Sequence, residues 1–106
     1  MLRNAVLDTS SVLTEPPRNV LVLQGENAVL NCSSNLNDAI EWKYDGDIIV
    51  HHGQCSTTFP GYITTSRDPT ECDLEWVSGE PRSYAGAYVC NDNEMQAIAM
   101  IIVLGK

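Results

Sequence analysis

Four cysteines, two adjacent histidines and a scatter of carboxylates are the residues here whose types could do chemistry. His51 and His52 are consecutive, so on a strand they point to opposite faces and do not by themselves make a two-ligand metal site. No third ligand is placed at zinc spacing. Asp45, Asp47 and Asp92 do not build a calcium loop. Serines are frequent, yet no Gly-x-Ser-x-Gly elbow presents one as a nucleophile. Cys32, Cys55, Cys72 and Cys90 suggest two disulfides in so short a chain, which removes any thiol nucleophile. The alternative is four free buried thiols in a cytosolic protein. Asn31-Cys32-Ser33 formally satisfies the N-glycosylation sequon. A sugar on a strand beside a disulfide is disfavoured. These residues predict no enzyme activity, no cofactor and no metal.

The chain has 106 residues, enough for one domain with a thin core that covalent staples would help. Disulfides in turn point to an oxidising compartment, secreted or on the outer face of a cell. The net charge is −8, and the six basic residues nowhere cluster. A phosphate backbone needs a basic face, so nucleic acid is excluded as a partner, and an anionic membrane surface is disfavoured on the same ground. The longest apolar run, Ala97 to Leu104, is far too short to span a bilayer, so no membrane insertion is expected of this fragment. No apolar h-region follows Met1-Leu2-Arg3-Asn4. An extracellular chain without leader or anchor reads as an excised piece, and its source, flanking domains and anchor stay open.

The elements that must position any site are short strands. Residues 1–13 lack periodicity and read as a tail or loose first strand, with the domain proper at 14–106. Pro16-Pro17 cannot donate to a ladder and belongs at a sheet edge. Val20 to Leu23 is a short apolar strand closed by a turn at Gln24 to Asn27. Ala28, Leu30 and Cys32 then share one face. Ile40, Trp42 and Tyr44 share a face of the next strand, with Glu41 and Lys43 on the other. Asp45-Gly46 signals a hairpin leading into a strand from Asp47 to His52. Residues 53–70 are irregular, with a strand at Tyr62 to Ser66. Cys72, Leu74 and Trp76 alternate, Ser78 to Arg82 turns, and Ala87 to Asn91 and Gln96 to Leu104 close the chain. No helical period appears. Many short strands with turn signals predict an all-β sandwich or barrel.

A cysteine on the second strand, a tryptophan ten residues later on the next, and a cysteine ending Tyr88-Val89-Cys90 make the core pattern of an immunoglobulin domain. The chain resembles the immunoglobulin superfamily over about residues 14 to 104. The carriers are Gly25-Glu26-Asn27-Ala28-Val29-Leu30-Asn31-Cys32, Glu41-Trp42-Lys43, Cys72-Asp73-Leu74-Glu75-Trp76 and Ala85-Gly86-Ala87-Tyr88-Val89-Cys90. The resemblance implies two antiparallel sheets bridged by Cys32 and Cys90, with Trp42, Leu30, Leu74 and Tyr88 in the core and Tyr88 forming a tyrosine corner. Cys55 and Cys72 are left as the second pair. Four cysteines allow three pairings, and sequence alone does not choose among them. Room between Trp42 and Leu74 for strands C′, a short C″ and D suggests a V-set or I-set-like domain. The segment 60–76 is similar to first domains of nephrin-like adhesion proteins and of invertebrate immune V-type proteins. The family's usual Asp-x-Gly-x-Tyr-x-Cys has Tyr84 in its Asp position, so Arg67 lacks the partner the family would give it. The last strand lacks a Phe-Gly-x-Gly bulge, against a rearranging receptor.

Strand parity marks a candidate binding surface. With Cys90 inward, Val89 and Asn91 face out. With Ala99, Ile101 and Val103 inward, Ile98, Met100 and Ile102 face out. An outward apolar row marks an interface. Glu41 and Lys43 share that face, with Ile49 and His51 as neighbours on C′. The resemblance implies docking of a protein partner through this GFCC′ face, either another immunoglobulin-like domain or a second copy as a homodimer. That is the reading of an adhesion or receptor module. A parity slip that buries Ile98 and Met100, or cover from the N-terminal strand over Ile102 and Leu104, would remove it. The rival reading is an innate immune domain binding a microbial or glycan ligand through the B–C loop (Asn35, Asn37) and F–G loop (Asn93). A third is a spacer without a site.

Overall fold

The computed structural model describes residues 12–77 and 84–105. The expected N-terminal tail and the turn at Ser78 to Arg82 lie almost wholly outside these. Eight strands are described: β1 (Val20–Leu23), β2 (Ala28–Leu30), β3 (Glu41–Tyr44), β4 (Asp47–Val50), β5 (Tyr62–Thr65), β6 (Asp73–Trp76), β7 (Gly86–Asn91) and β8 (Gln96–Leu104). They form a five-stranded sheet ordered β1-β8-β7-β3-β4 and a three-stranded sheet ordered β2-β6-β5. β1 runs parallel to β8, and the other pairs are antiparallel. This is the expected all-β sandwich of immunoglobulin type.

Pro16 and Pro17 stand where the chain changes sheets. Glu15 bridges Ser33, next to the three-stranded sheet, and four residues after Pro16 the chain pairs with β8 in the other sheet. Neither proline can donate to a ladder, which suits a crossing. Asp45 and Gly46 have φ of 54° and 83°, both left-handed, and Tyr44 faces Asp47 across them. That is a two-residue hairpin turn whose twist matches its strands.

The β3–β4 pairing slips after this turn. Ile48 lies opposite Lys43 and Val50 opposite Trp42, so Ile49 is an extra residue. The bulge turns two consecutive side chains inward, and Ile49 and Val50 are both buried. Ile49, expected on the binding face, is therefore a core residue. His51 lies beyond the end of β4 and is exposed, not a strand neighbour of Glu41. The expected C″ strand is not formed: residues 51–61 run without strand pairing from β4 to β5. The V-type addition is thus only half present.

Both disulfides form as expected, Cys32 with Cys90 and Cys55 with Cys72. The first joins the sheets. Trp42 is fully buried beside Cys90 in register and donates its indole N–H to the Cys72 carbonyl at 2.9 Å. The second ties the irregular stretch after β4 to the start of β6, with Thr64 donating to the Cys55 carbonyl alongside. Around these cross-links the core is aromatic. Tyr44 stacks on Tyr88, Trp76 stacks on Tyr84, and Tyr62 meets Trp76 edge-on. Gly86 is needed where it stands. Its φ is 127°, a backbone conformation that side chains with a Cβ rarely adopt, although a Cβ there would make only ordinary contact, at 3.5 Å, with the Tyr44 ring.

Tyr88 donates to the Tyr84 carbonyl at 2.7 Å, the tyrosine corner. Its oxygen also meets the Tyr62 hydroxyl at 2.6 Å. Tyr88→Phe removes both bonds from a buried site while keeping the ring. We expect urea unfolding to show a loss of about 1–3 kcal/mol. An unchanged midpoint would mean that the corner carries no stability.

Arg67 finds a partner the family pattern did not supply. It holds Glu71 through two bonds, Nε to Oε1 at 2.9 Å and Nη2 to Oε2 at 2.6 Å. Glu71 is itself buried, and these bonds hold its carboxyl at about 2, well below the usual range. Burial pushes the neighbouring Asp73 the other way, to about 6. The two carboxyls share a hydrogen bond, and Asp73 also accepts from the Cys32 amide. Tyr84, in the family's Asp position, instead reaches the Glu26 carbonyl.

Candidate binding face

The outer face of the five-stranded sheet is built by β8. Nine residues alternate without a slip. Ala99 and Ile101 are sealed in the core, while Ile98 is 59% and Met100 37% exposed. The parity slip that would have buried them does not occur. β7 extends the face, with half-buried Val89 opposite Ile98 and Ala87 opposite Met100. β1 extends it on the other side. Leu21 lies beside Ile102 and Leu23 beside Leu104, all four exposed. β1 therefore lies next to β8 and widens the apolar row; the N-terminal strand expected at residues 1–13 falls almost wholly outside the described residues. Three adjacent strands, their axes about 4.8 Å apart, carry apolar side chains on this one side.

Sequence reasoning missed Leu21 and Leu23. Their alternation with Val20 and Val22 was legible, but the parallel pairing that brings them to Ile102 and Leu104 was not.

Toward β3 the face turns polar. Asn91 donates to Glu41 Oε1 at 2.7 Å, and Lys43 Nζ stands 3.8 Å from the same oxygen. His52 Nε2 lies 3.5 Å from Glu41 Oε2, while its Nδ1 donates to the Ala39 carbonyl. Glu41 is on the expected face but is buried at 7% exposure, so it organises its neighbours more than it meets solvent. Lys43 is exposed and Asn91 half-buried. His52 takes the place expected of His51. The shift by one follows from the extra residue at Ile49, which resets the parity of everything after it. A shallow cleft of about 310 Å³ opens here between Glu41, Lys43, His52, Asn91, Glu94 and Gln96.

The loops at this end are tied together. Asp92 is fully buried and accepts from Ser34 Oγ at 2.8 Å, from the Met95 amide at 2.8 Å and from the Glu94 amide at 3.1 Å. One carboxylate thus shapes the loop between β7 and β8 and pins it to the loop after β2. Asn35, Asn37 and Asn93 are exposed around it. Asp92 was considered only as a calcium ligand; its spacing gave no hint of this role. Among the described residues, no three His, Cys, Asp or Glu side chains group to hold a metal ion.

No protein-family model matches the chain, and no curated protein matches its sequence. Solved structures do. A titin M10–obscurin-like 1 Ig complex superposes with a TM-score of 0.70 at 24% identity, over 91% of this chain and 95% of that one. The N-terminal Ig1-2 module of the Drosophila receptor protein tyrosine phosphatase DLAR gives 0.74 at 16% identity, over 91% of this chain and 50% of that one. DIP-gamma IG1+IG2 gives 0.75 at 20% identity, over 93% and 51%. This chain therefore spans about half of each of the two-domain structures. Likeness at these identities speaks to architecture, and with the bridged sheets, buried Trp42 and tyrosine corner it makes this chain an immunoglobulin-like β-sandwich.

Proposed function

We propose that this domain is an extracellular recognition module that docks a second immunoglobulin-like domain, its own copy included, through the outer face of β1, β8 and β7. The observation that carries the reading is the exposed apolar row from Leu21 through Ile102 and Met100 to Ile98, continued by half-buried Val89 and rimmed by Lys43, Asn91 and the Glu41 cluster. Apolar groups at the centre supply affinity, and the polar rim sets register. Structures of similar fold include Dpr11 IG1 bound to DIP-gamma, at 21% identity, and the titin–obscurin-like 1 pair, both complexes between Ig domains. Two disulfides suit an oxidising, extracellular setting. A face of this size makes a weak, transient contact. The net charge of −8 opposes self-association at low salt, so added salt should strengthen a homodimer.

Sedimentation over a wide concentration range tests this. Reversible dimer formation is expected, and Met100→Asp should weaken it at least about tenfold, because a charge would be buried unpaired at the centre. A strict monomer at high concentration, with Met100→Asp indistinguishable from the parent, would sink the homophilic form.

The Ser34–Asp92 tie favours a second reading, since it presents Asn35, Asn37 and Asn93 on a fixed loop pair suited to a glycan or microbial ligand. Replacing these three asparagines would then abolish binding, while Met100→Asp would leave it intact.

A further inference from the structure

The opposite sheet carries a different feature. Leu30 and Cys32 are buried, and Asn31 between them points outward and is exposed, one residue past the end of β2. The sequon residue is thus not locked into a ladder. Ser33, which completes the sequon, is bridged on both sides, by Glu15 and by Glu71; toward Glu15 its amide donates to the carbonyl at 2.9 Å and its carbonyl accepts from the amide at 3.4 Å. Beside Asn31 lies a shallow groove of about 70 Å³ lined by Glu15, Pro16, Arg18, Val20, Val29 and Asn31 itself. Pro16, Val20 and Val29 give it an apolar wall, while Glu15 and Arg18 offer an acceptor and a donor. A pyranose ring has the same division, an apolar face and a hydroxylated edge. Val29 and Ile63 are both well exposed on this side and lie opposite Glu75 from its two neighbouring strands.

We propose that Asn31 carries an N-linked glycan whose first sugar lies against this groove. The side-chain nitrogen bonds to the anomeric carbon of a lipid diphosphate-linked oligosaccharide supplied by the secretory pathway. The anomeric carbon–oxygen bond breaks, the lipid diphosphate leaves, and a base takes the nitrogen's proton. One N–H remains on that nitrogen and is available to donate to Asp73. The glycan shields the three-stranded sheet and leaves the β1-β8-β7 face open.

The test is secretion of the chain from a eukaryotic host, followed by intact mass and disulfide mapping. The expected result is a glycan on secreted, correctly bridged protein, released by peptide N-glycosidase with residue 31 converted to aspartate. Ser33→Ala, which keeps Asn31 and the Glu15 backbone bonds, should be secreted without it, and Ser33→Thr should retain it. Unmodified secreted protein with both bridges intact overturns the proposal, as does sugar found only on retained, mispaired chains. If a variant fails to leave the cell, the wild-type mass alone decides.

Discussion

Replacing Cys32 and Cys90 together by alanine is expected to cost about 4 kcal/mol, from loop-closure entropy over a separation of 58 residues. A domain of this size holds roughly 5–15 kcal/mol in total, so the loss takes most of its stability or all of it. Trp42 loses a packing partner at the same time. Replacing Cys55 and Cys72, separated by 17, should cost about 3 kcal/mol and loosen mainly residues 51–61. Urea unfolding and hydrogen exchange separate the two. If the first variant were the more stable one, the inter-sheet bridge would not be the main constraint on the fold.

Asp73→Asn is expected to stabilise the domain at neutral pH and to do nothing at pH 3. In the folded chain burial raises the Asp73 carboxyl to about 6, against an ordinary value of 3.8. Between these two values the folded chain holds a proton that the unfolded chain has lost. Asp73 therefore lowers stability as pH rises through that window, and the full deficit stands above 6. That gap corresponds to a gain on the order of 1–3 kcal/mol for asparagine, which still accepts from the Cys32 amide and donates to Glu71. Glu71 works in the opposite sense. Its folded value of about 2 lies below the ordinary 4.5, so its contribution is complete above 4.5 and fades as pH falls toward 2. Wild-type stability from this pair should thus peak near pH 4, and the variant should flatten the alkaline side of that peak. Thermal melts from pH 3 to pH 8 read both limbs. A variant that melts below wild type at pH 7.5 would contradict the burial of Asp73 as the cause.

How far the residues announced the structure depended on whether a signal was local. The hairpin at Asp45-Gly46 and the long alternation from Gln96 to Leu104 depend on adjacent residues, and both stand as expected, the latter to the residue. The Cys32, Trp42, Tyr88 and Cys90 framework was legible because each type is dictated by one place in the core. Where expectation failed, a single added residue was responsible. Ile49 looks like any strand residue in Asp47 to His52, yet the slip in pairing sends it inward and puts His52 where His51 was awaited. Nothing in that hexapeptide marks the bulge. C″ failed for a related reason: residues 51–61 have turn formers and a tethered cysteine, not an alternating pattern. On the candidate face, Ile98 and Met100 were readable from parity. Leu21, Leu23 and the Glu41–Asn91 bond required knowing which strands lie together.

The parallel run of β1 beside β8 has a mechanical meaning. Because the chain enters at Val20 and leaves at Leu104 from opposite ends of this pair, tension between the flanking segments slides one strand along the other. All four backbone pairings then share the load at once, where an unzipping geometry would break them singly. Past that point the sulfur bridge takes over. It short-circuits everything from residue 33 to residue 89, so a stretched molecule could lengthen only by its two outer arms while the middle of the chain stayed slack.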